Sequence, residues 1–438
     1  MNFRKIIGLA ICAMTVPVVS FAHGEIWYDV SAHVPQYKKL VIYPITSPEN
    51  HYLISDDEDT DIYKANDHLD KRFVRKLKFK TIPLGRTVKE NKEIRTDETK
   101  YQSLYQDFPS EAERGKVVFE VTGADGYLKP YVHEMRTEPH HSPEIWVNVQ
   151  MRSYTKVSGS PRGDYTTNER TWTEQHRIPY KELMLYHMSM GNYLYDRNGK
   201  QVLLYFNEEH TYGEKYGGLA SLFGGGKSLN ADNYGLEMFK HLVKEFRKDV
   251  GDVKNNFKEN KDKQRMGPRM GVGNLNLPSN IAGNENLSRC VNFYLKDAAF
   301  RKTKVPVNYG DENDKPVKYE VVGNLYKYTL QREWIPPHVD TSDSYVSSRE
   351  EKWRDKNGNE HTTTYTDYKT SISDVYGKWV YTATVSGDFA LVDTNTGRTV
   401  VSYSGTETDD KRGDAYRHLV DKFYDEVNDF FKSKGYGN

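Results

Sequence analysis

The sequence is poor in cysteine, with only two in 438 residues. Cys12 lies in an apolar run near the amino terminus, which leaves Cys290 as the single cysteine of the remaining chain. One cysteine cannot form an intrachain disulfide, so the fold must depend on a hydrophobic core. The chain also lacks an excess of charge, because 62 Lys and Arg balance 62 Asp and Glu. This balance argues against nucleic acid as a partner.

Beyond its first residues, the sequence has no apolar run long enough to span a membrane. The first residues have the three parts of a secretory signal: the basic Arg4 and Lys5, an apolar stretch over residues 6–19, and small residues up to Ala22. We therefore predict a signal peptide over residues 1–22, cleaved between Ala22 and His23. The mature protein is expected to be exported, either periplasmic or extracellular, without an integral membrane span.

Recognisable catalytic motifs are also missing, since the chain has no nucleophile elbow and no zinc-protease helix. Residues 221–228 approach a phosphate-binding loop, but Ser221 occupies the position of its first glycine. An acidic run over residues 56–61 lacks the glycine of a calcium-binding loop. We predict no cofactor and no catalytic residue. The question of an enzyme stays open, because the paired carboxylates of a glycosidase leave no short motif.

Three histidines lie close together in the sequence: His133, His140 and His141, with glutamates beside them. Imidazole and carboxylate groups are good zinc ligands, but the spacing matches no known zinc signature. Pro139 and Pro143 indicate an exposed loop. The sequence leaves open whether these histidines bind a metal.

What the chain has in abundance is tyrosine, with 33 residues, and two similar hairpins. Residues 193–205 are predicted to form a hairpin around Asn198-Gly199, a pair typical of a tight turn. Residues 389–403 repeat the pattern around Gly397. We predict an amphipathic helix after each hairpin, over residues 232–250 and 416–431, and the second ends at Gly435.

The elements before each hairpin also correspond. In the first half, residues 62–77 form a helical stripe, and residues 79–84 are a predicted strand. In the second half, Ser288 is the predicted cap of a helix, and residues 303–307 are a predicted strand. Each half then has a long polar excursion, over residues 130–185 and 328–378. In the second, residues 375–385 alternate as one strand with a buried face.

This repeated order predicts two tandem related units and an α+β fold class with α/β-like units. Each unit is a small mixed sheet with long β-hairpin excursions and packed helices. We predict unit 1 over residues 37–250, a charged, glycine-rich linker over residues 251–271, and unit 2 over residues 272–435.

Several segments resemble the envelope α/β module found in the amino-terminal domain of TolB and in the curli secretion subunit CsgG. Residues 39–44 resemble its first strand, and a helix capped by Ser110 leads into Gly123-Ala124-Asp125. A strand follows, and a later strand ends in an Asp…Gly turn. The resemblance implies binding and assembly roles in the cell envelope, and it carries no catalytic residue.

We therefore predict a non-catalytic exported protein that presents its Tyr/Thr-rich hairpins to an envelope protein or a cell-surface component. The sequence leaves its oligomeric state open. A secreted hydrolase and an outer-membrane pore-associated subunit remain alternatives. The predicted contact residues are Leu222 and Phe223 in a glycine-rich loop, and Trp353, Tyr365 and Tyr368 in the second excursion.

Overall fold

The computed structural model describes residues 24–29, 37–46, 61–77, 80–85, 101–214, 236, 238–251, 265–308 and 315–436. The predicted signal peptide, the loop with Leu222 and Phe223, and residues 252–264 of the predicted linker lie outside the described residues.

The first half of the chain forms a six-stranded mixed sheet in the order β1-β8-β7-β4-β2-β3. Its strands are β1 (Glu25–Tyr28), β2 (Lys39–Ile42), β3 (Lys80–Pro83), β4 (Gly126–Ser142), β7 (Lys181–Asp196) and β8 (Gln201–Glu214). Its helices are α1 (Asp61–Leu77), α2 (Glu111–Thr122) and α3 (residues 238–251). The predicted cap of α2 is confirmed, because the Ser110 hydroxyl accepts the Glu113 N–H at 3.2 Å.

The second half forms a four-stranded sheet in the order β14-β13-β10-β9. Its strands are β9 (Met270–Val272), β10 (Tyr319–Ile335), β13 (Lys378–Asp393) and β14 (Thr399–Asp409). Its helices are α4 (Ser279–Ala282), α5 (Glu285–Lys302) and α6 (Arg412–Ser433). Gly435 follows α6 with φ +81°, as predicted for a residue that ends a helix.

The two sheets repeat one pairing register, which shows two tandem related units in an α+β fold. The parallel pairs that define it are Leu40 with Gly126 and Thr46 with Tyr131 in the first sheet, and Met270 with Tyr319 and Asn276 with Asn324 in the second. In each sheet, the second pair lies six residues further along the first strand and five along its partner. Further along, the antiparallel register of each sheet shifts by one residue, at His133 in β4 and at the equivalent Tyr326 in β10.

Two predictions in the second unit are wrong at the level of single residues. Helix α5 begins earlier than Ser288, because the Asn284 side chain accepts the Leu287 N–H at 3.1 Å and caps it. Residues 303–307 form only a single bridge, from Val307 to Met270. Pro306 has no N–H, so a regular ladder cannot continue through it.

Each unit has a hydrophobic core between its sheet and its helices. In the first, α3 places Phe239, Leu242 and Phe246 against β1, β7 and β8. In the second, α5 and α6 cover β10 and β13. Phe293 of α5 belongs to the first core, where its ring packs edge-to-face on Tyr28 with centroids 6.4 Å apart. The units therefore share a packed interface.

The two polar excursions are long β-hairpins that join in a third sheet, which we call the shared sheet. Its strands are β5 (Ile145–Ser158) and β6 (Tyr165–Ile178) from the first unit, and β11 (His338–Arg354) and β12 (Glu360–Val375) from the second. Their order is β11-β12-β5-β6, and antiparallel pairing of residues 153–158 with residues 364–369 connects the two hairpins.

The prediction of one continuous strand over residues 375–385 is wrong. Strand β12 ends at Val375, a tight turn follows, and β13 begins at Lys378. The Gly377 N–H donates to the Ser142 hydroxyl at 2.8 Å, so this turn is held against the end of β4. A Cβ at Gly377 would lie 2.6 Å from the Trp334 ring, which explains why the turn needs a glycine.

Candidate functional site

The three predicted contact residues of the second excursion lie in the shared sheet and pack within it. Tyr368 stacks on Tyr154 across the joint between the hairpins, with ring centroids 5.2 Å apart. Trp353 stacks on His361 at 4.5 Å, and the Tyr365 hydroxyl donates to a glutamate of β11 at 3.0 Å. These side chains therefore support cross-strand pairing inside the sheet.

The outer strands of the shared sheet are exposed on both faces. Apart from Ile178, no residue of β6 or β11 is buried. Within the part of the chain that the structure describes, neither strand pairs with another on its outer side. Tyr345 and Val346 of β11 are about 60% exposed, at 62% and 59%, and Trp172 of β6 is 36% exposed. Sequence reasoning missed these three, although Tyr345 and Trp172, as aromatic residues among polar neighbours, were a visible signal.

A cleft of about 490 Å³ lies between the two units. One side is formed by β4, β7 and β8 of the first sheet, and the opposite side by α4 and the first turn of α5. Glu25 of β1 and residues 411–413 at the start of α6 complete its lining. Sites between packed units are common places for ligands to bind.

Aromatic rings form one wall of this cleft, which we call the aromatic wall: His133, Tyr193 and Phe206. The Phe206 ring lies 5.3 Å from the His133 ring and 5.8 Å from the Tyr193 ring. The Tyr193 hydroxyl and His133 Nε2 are 3.0 Å apart. Burial lowers the pKa of His133, which favours its neutral form. A Cβ at Gly191 would lie 2.5 Å from His133 Nε2, so only a glycine there leaves room for the His133 ring.

Two carboxylates and one guanidinium meet in the cleft. Arg412 Nη2 lies 3.6 Å from Glu208 Oε1, and Arg412 Nε lies 3.9 Å from Glu25 Oε1. Glu25 also accepts the Tyr328 hydroxyl at 2.6 Å. Burial raises the pKa of Glu208, and the positive charge of Arg412 opposes this shift only in part.

Lys411, at the edge of the cleft, connects the two units through ion pairs with buried carboxylates. Its Nζ lies 3.1 Å from Glu245 Oε1 of α3 and 3.3 Å from Glu209 Oε2 of β8. His241 Nδ1 is 2.9 Å from the same Glu209 oxygen, and this hydrogen bond raises the pKa of His241. Glu209, His241 and Glu245 are close enough to hold a metal ion, but the ammonium of Lys411 already supplies positive charge to both carboxylates.

The three histidines of the possible metal site do not converge, and their predicted loop is wrong. They lie along β4. After Tyr131, β4 pairs with β7 on one side, and no described strand pairs with it on the other. Pro139 lacks an N–H, but this costs no hydrogen bond on the unpaired side. His140 packs edge-to-face on Trp334 at 5.0 Å, and His141 stacks on Tyr180 at 5.9 Å. Among the described residues, none of the three belongs to a cluster with metal-binding geometry.

Comparison with known proteins gives no family assignment. No protein-family model matches the chain, and no curated protein matches it. Among solved structures, the chain is similar to a dodecamer of a PelC variant from Paraburkholderia phytofirmans, with 11% identity and a TM-score of 0.22. The alignment covers 37% of this chain and 90% of that one. At this score, the likeness carries no argument about function.

None of the described helices is both long enough and apolar enough to cross a membrane.

The cleft was not foreseen from the sequence. Glu25, Glu208 and Arg412 come from three distant segments, and none stands in a recognisable motif. Asn284 and Asn286 lie just before Ser288, the predicted helix cap, and belong to no motif. Folding alone brings these groups together, so no local pattern could have identified them.

Proposed function

We propose that the chain is an exported, non-catalytic binding or assembly protein of the cell envelope, and that its two hairpins together contact a partner protein. The observation that carries the proposal is the shared sheet, whose outer strands are exposed on both faces. Strands solvated on both faces gain little from hydrophobic burial, so folding alone gives weak reason for outer strands of 14 and 17 residues.

The edges of this sheet suit binding by strand addition. An outer strand without a neighbour presents a row of backbone N–H and C=O groups, and a partner strand can pair with them. Tyr345 and Trp172 stand on the two outer strands, and exposed aromatic rings are frequent anchors in interfaces. We infer a partner that contributes an extended segment, such as an edge strand of another envelope protein. The resemblance to the TolB and CsgG module is consistent with this role.

In-cell photo-crosslinking tests the proposed contact. A photoreactive phenylalanine analogue replaces Tyr345 in β11, and Tyr326 in β10 serves as the matched control because both are 62% exposed. We expect a defined adduct from position 345 and none from position 326. A second variant, Ser348→Pro, removes one N–H from β11, and it should reduce the adduct if pairing involves that edge. Equal adducts at both positions, or none, would contradict the proposal.

Export is tested separately. We expect the amino terminus of the mature protein to be His23 and the protein to leave the cytoplasmic fraction on cell fractionation. An intact Met1 in the purified protein would contradict the export proposal and leave the crosslinking result unaffected.

A secreted hydrolase is a second candidate, favoured by one observation. Glu25 and Glu208 line the same cleft, and burial raises the pKa of Glu208, as a general acid requires. Chromogenic glycosides and esters test it directly. Turnover that is lost in Glu208→Gln would support this candidate, whereas absence of turnover by the unchanged protein would reject it.

A further inference from the structure

The cleft between the units has the chemistry of a small-molecule site that is separate from the shared sheet. It has a built aromatic wall on one side and amide side chains on the other. Its lining includes two acidic side chains, Glu25 and Glu208, and two basic ones, Lys411 and Arg412. Each of these cations already faces two carboxylates: Arg412 faces Glu25 and Glu208, and Lys411 faces Glu209 and Glu245. An anionic ligand would therefore find no cation in the lining without acidic partners. The lining favours a neutral ligand over an anionic one.

Polar atoms in this lining include both donors and acceptors without a described partner. Asn207 is 6% exposed, and its amide nitrogen donates to Leu242 O at 2.9 Å and to Glu245 at 3.2 Å. Among the described residues, its Oδ1 accepts no hydrogen bond. Nε of Arg412 is a buried donor that likewise has no hydrogen-bond partner there. Both atoms are closed off from the cleft in the unliganded protein, so a ligand reaches them only when the two side chains turn. A hydroxyl group would then suit both, because it can accept from a guanidinium and donate to an amide oxygen.

The opposite side of the cleft also offers both hydrogen-bond donors and acceptors. The Asn280 amide nitrogen donates to Tyr328 O at 3.0 Å, and Asn284 Oδ1 accepts the Leu287 N–H. This leaves an amide oxygen on Asn280 and an amide nitrogen on Asn284 for the cleft. Asn286 also lines it, and no hydrogen bond between described residues uses its side chain. Several hydroxyl groups on one rigid ligand would match such a set.

We propose that this cleft binds a neutral saccharide, with one sugar ring against the aromatic wall and its hydroxyls on the amides of the opposite side. Tyr193 and Phe206 supply apolar faces for the C–H groups of the sugar ring. Asn280, Asn284 and Asn286 supply donors and acceptors for its hydroxyls. Because the two sides belong to different units, the bound sugar contacts both.

Calorimetric titration of the full exported chain tests the proposal with defined probes. The neutral probes are cellotriose and the trisaccharide of N-acetylglucosamine, and the charged ones are the trisaccharides of glucosamine and of galacturonic acid. We expect a neutral trisaccharide to bind with a dissociation constant of about 1 mM or tighter, and the charged ones to bind more weakly. No binding of either neutral probe, or tighter binding of a charged one, would overturn the proposal.

Variants then locate the site. Tyr193→Leu removes a ring of the aromatic wall and should weaken binding by at least about tenfold, whereas Tyr193→Phe keeps the ring and should retain most of the affinity. Asn286→Ala removes a side chain that supports no described hydrogen bond, so its fold should survive while binding weakens. Tyr345→Ala in the shared sheet is the control and should bind normally. Unchanged affinity in both Tyr193→Leu and Asn286→Ala would place any binding elsewhere.

Binding and turnover are distinguishable in these titrations. If chromatography recovers the probe intact, the cleft is a binding site without hydrolysis. The result is also independent of the partner proposed for the shared sheet, because the crosslinking positions lie on β10 and β11, outside the cleft lining.

Discussion

One pair of histidines, His187 and His210, is expected to make the protein less stable in acid. His187 and His210 face each other with their Nδ1 atoms 2.8 Å apart, and the His210 ring stacks on Tyr381 of the second unit at 3.8 Å. Burial, together with His187, lowers the pKa of His210 to about 3. An ordinary histidine has a pKa of about 6.5, so the folded state resists a proton that the unfolded chain accepts.

This difference predicts how stability changes with pH. The contribution of His210 is present above pH 6.5 and is lost as the pH falls from about 6.5 toward 3, by up to about 1.4 kcal/mol per pH unit. His210→Phe keeps a ring against Tyr381 and should flatten the pH dependence of the unfolding free energy between about pH 6.5 and 5. Urea unfolding across that range measures it. Val346→Phe, which adds a ring at an exposed site on β11 and changes no titratable group, is the control and should leave the slope unchanged.

A second residue-scale prediction concerns Lys411, which is 11% exposed and faces two carboxylates. Lys411→Met leaves Glu209 and Glu245 buried with only His241 as a basic neighbour and should lower the unfolding free energy by about 3 kcal/mol. Lys432→Met removes a surface pair with Asp429, where the lysine is 56% exposed, and should cost less than about 1 kcal/mol. Similar costs for the two variants would show that the buried cluster is not a strong link between the units.

At the scale of elements, the joint between β5 and β12 is the least obvious feature of the fold. Gly159 stands at the end of β5 with φ +73°, and a Cβ there would lie 2.6 Å from Thr362 O of the other hairpin. Gly163 in the same turn has φ +83°, but a Cβ there would meet nothing within 4 Å. The two glycines therefore share a left-handed backbone, and only Gly159 is approached closely by β12.

That difference gives a matched pair of variants. Gly163→Ala should cost about 1 kcal/mol from its left-handed backbone alone. Gly159→Ala should cost more and should speed amide hydrogen exchange in residues 364–369, because the added methyl pushes β12 away. Exchange followed by mass spectrometry measures both. If the two variants behave alike, the hairpins are not held together at this turn.

Elements with local signals were predictable from the sequence, and elements that depend on distant partners were not. Asn198-Gly199 forms a hairpin turn through its own backbone. Ser110 caps the helix that follows it by accepting the N–H of Glu113. The alternation of Trp379, Tyr381 and Ala383 correctly indicated a strand, but it could not show where Gly377 turns the chain against Ser142. Residues 153–158 and 364–369 are mostly polar, and no pattern in either segment indicates that the two pair.

At the scale of the whole molecule, the contacts between the units argue for cooperative folding. Arg417 of α6 donates to Gly24 O at 3.2 Å and lies 3.8 Å from Asp249 of α3. Phe293 extends from the second unit into the first core. Together with Lys411 and the shared sheet, these contacts connect the units on several sides, so unfolding one unit exposes buried charge and apolar surface of the other.

We therefore expect both units to lose stability together when either core is damaged. Phe293→Ala opens a cavity in the first core and Phe431→Ala one in the second, and each should cost about 3–5 kcal/mol. Native-state hydrogen exchange, read separately in β8 and in α6, should show equal losses in both segments for each variant. If Phe431→Ala weakened α6 and left β8 unchanged, the units would be independent domains that only touch. The cleft between them would then be free to open, and a sugar bound there would have to close it before contacting both sides.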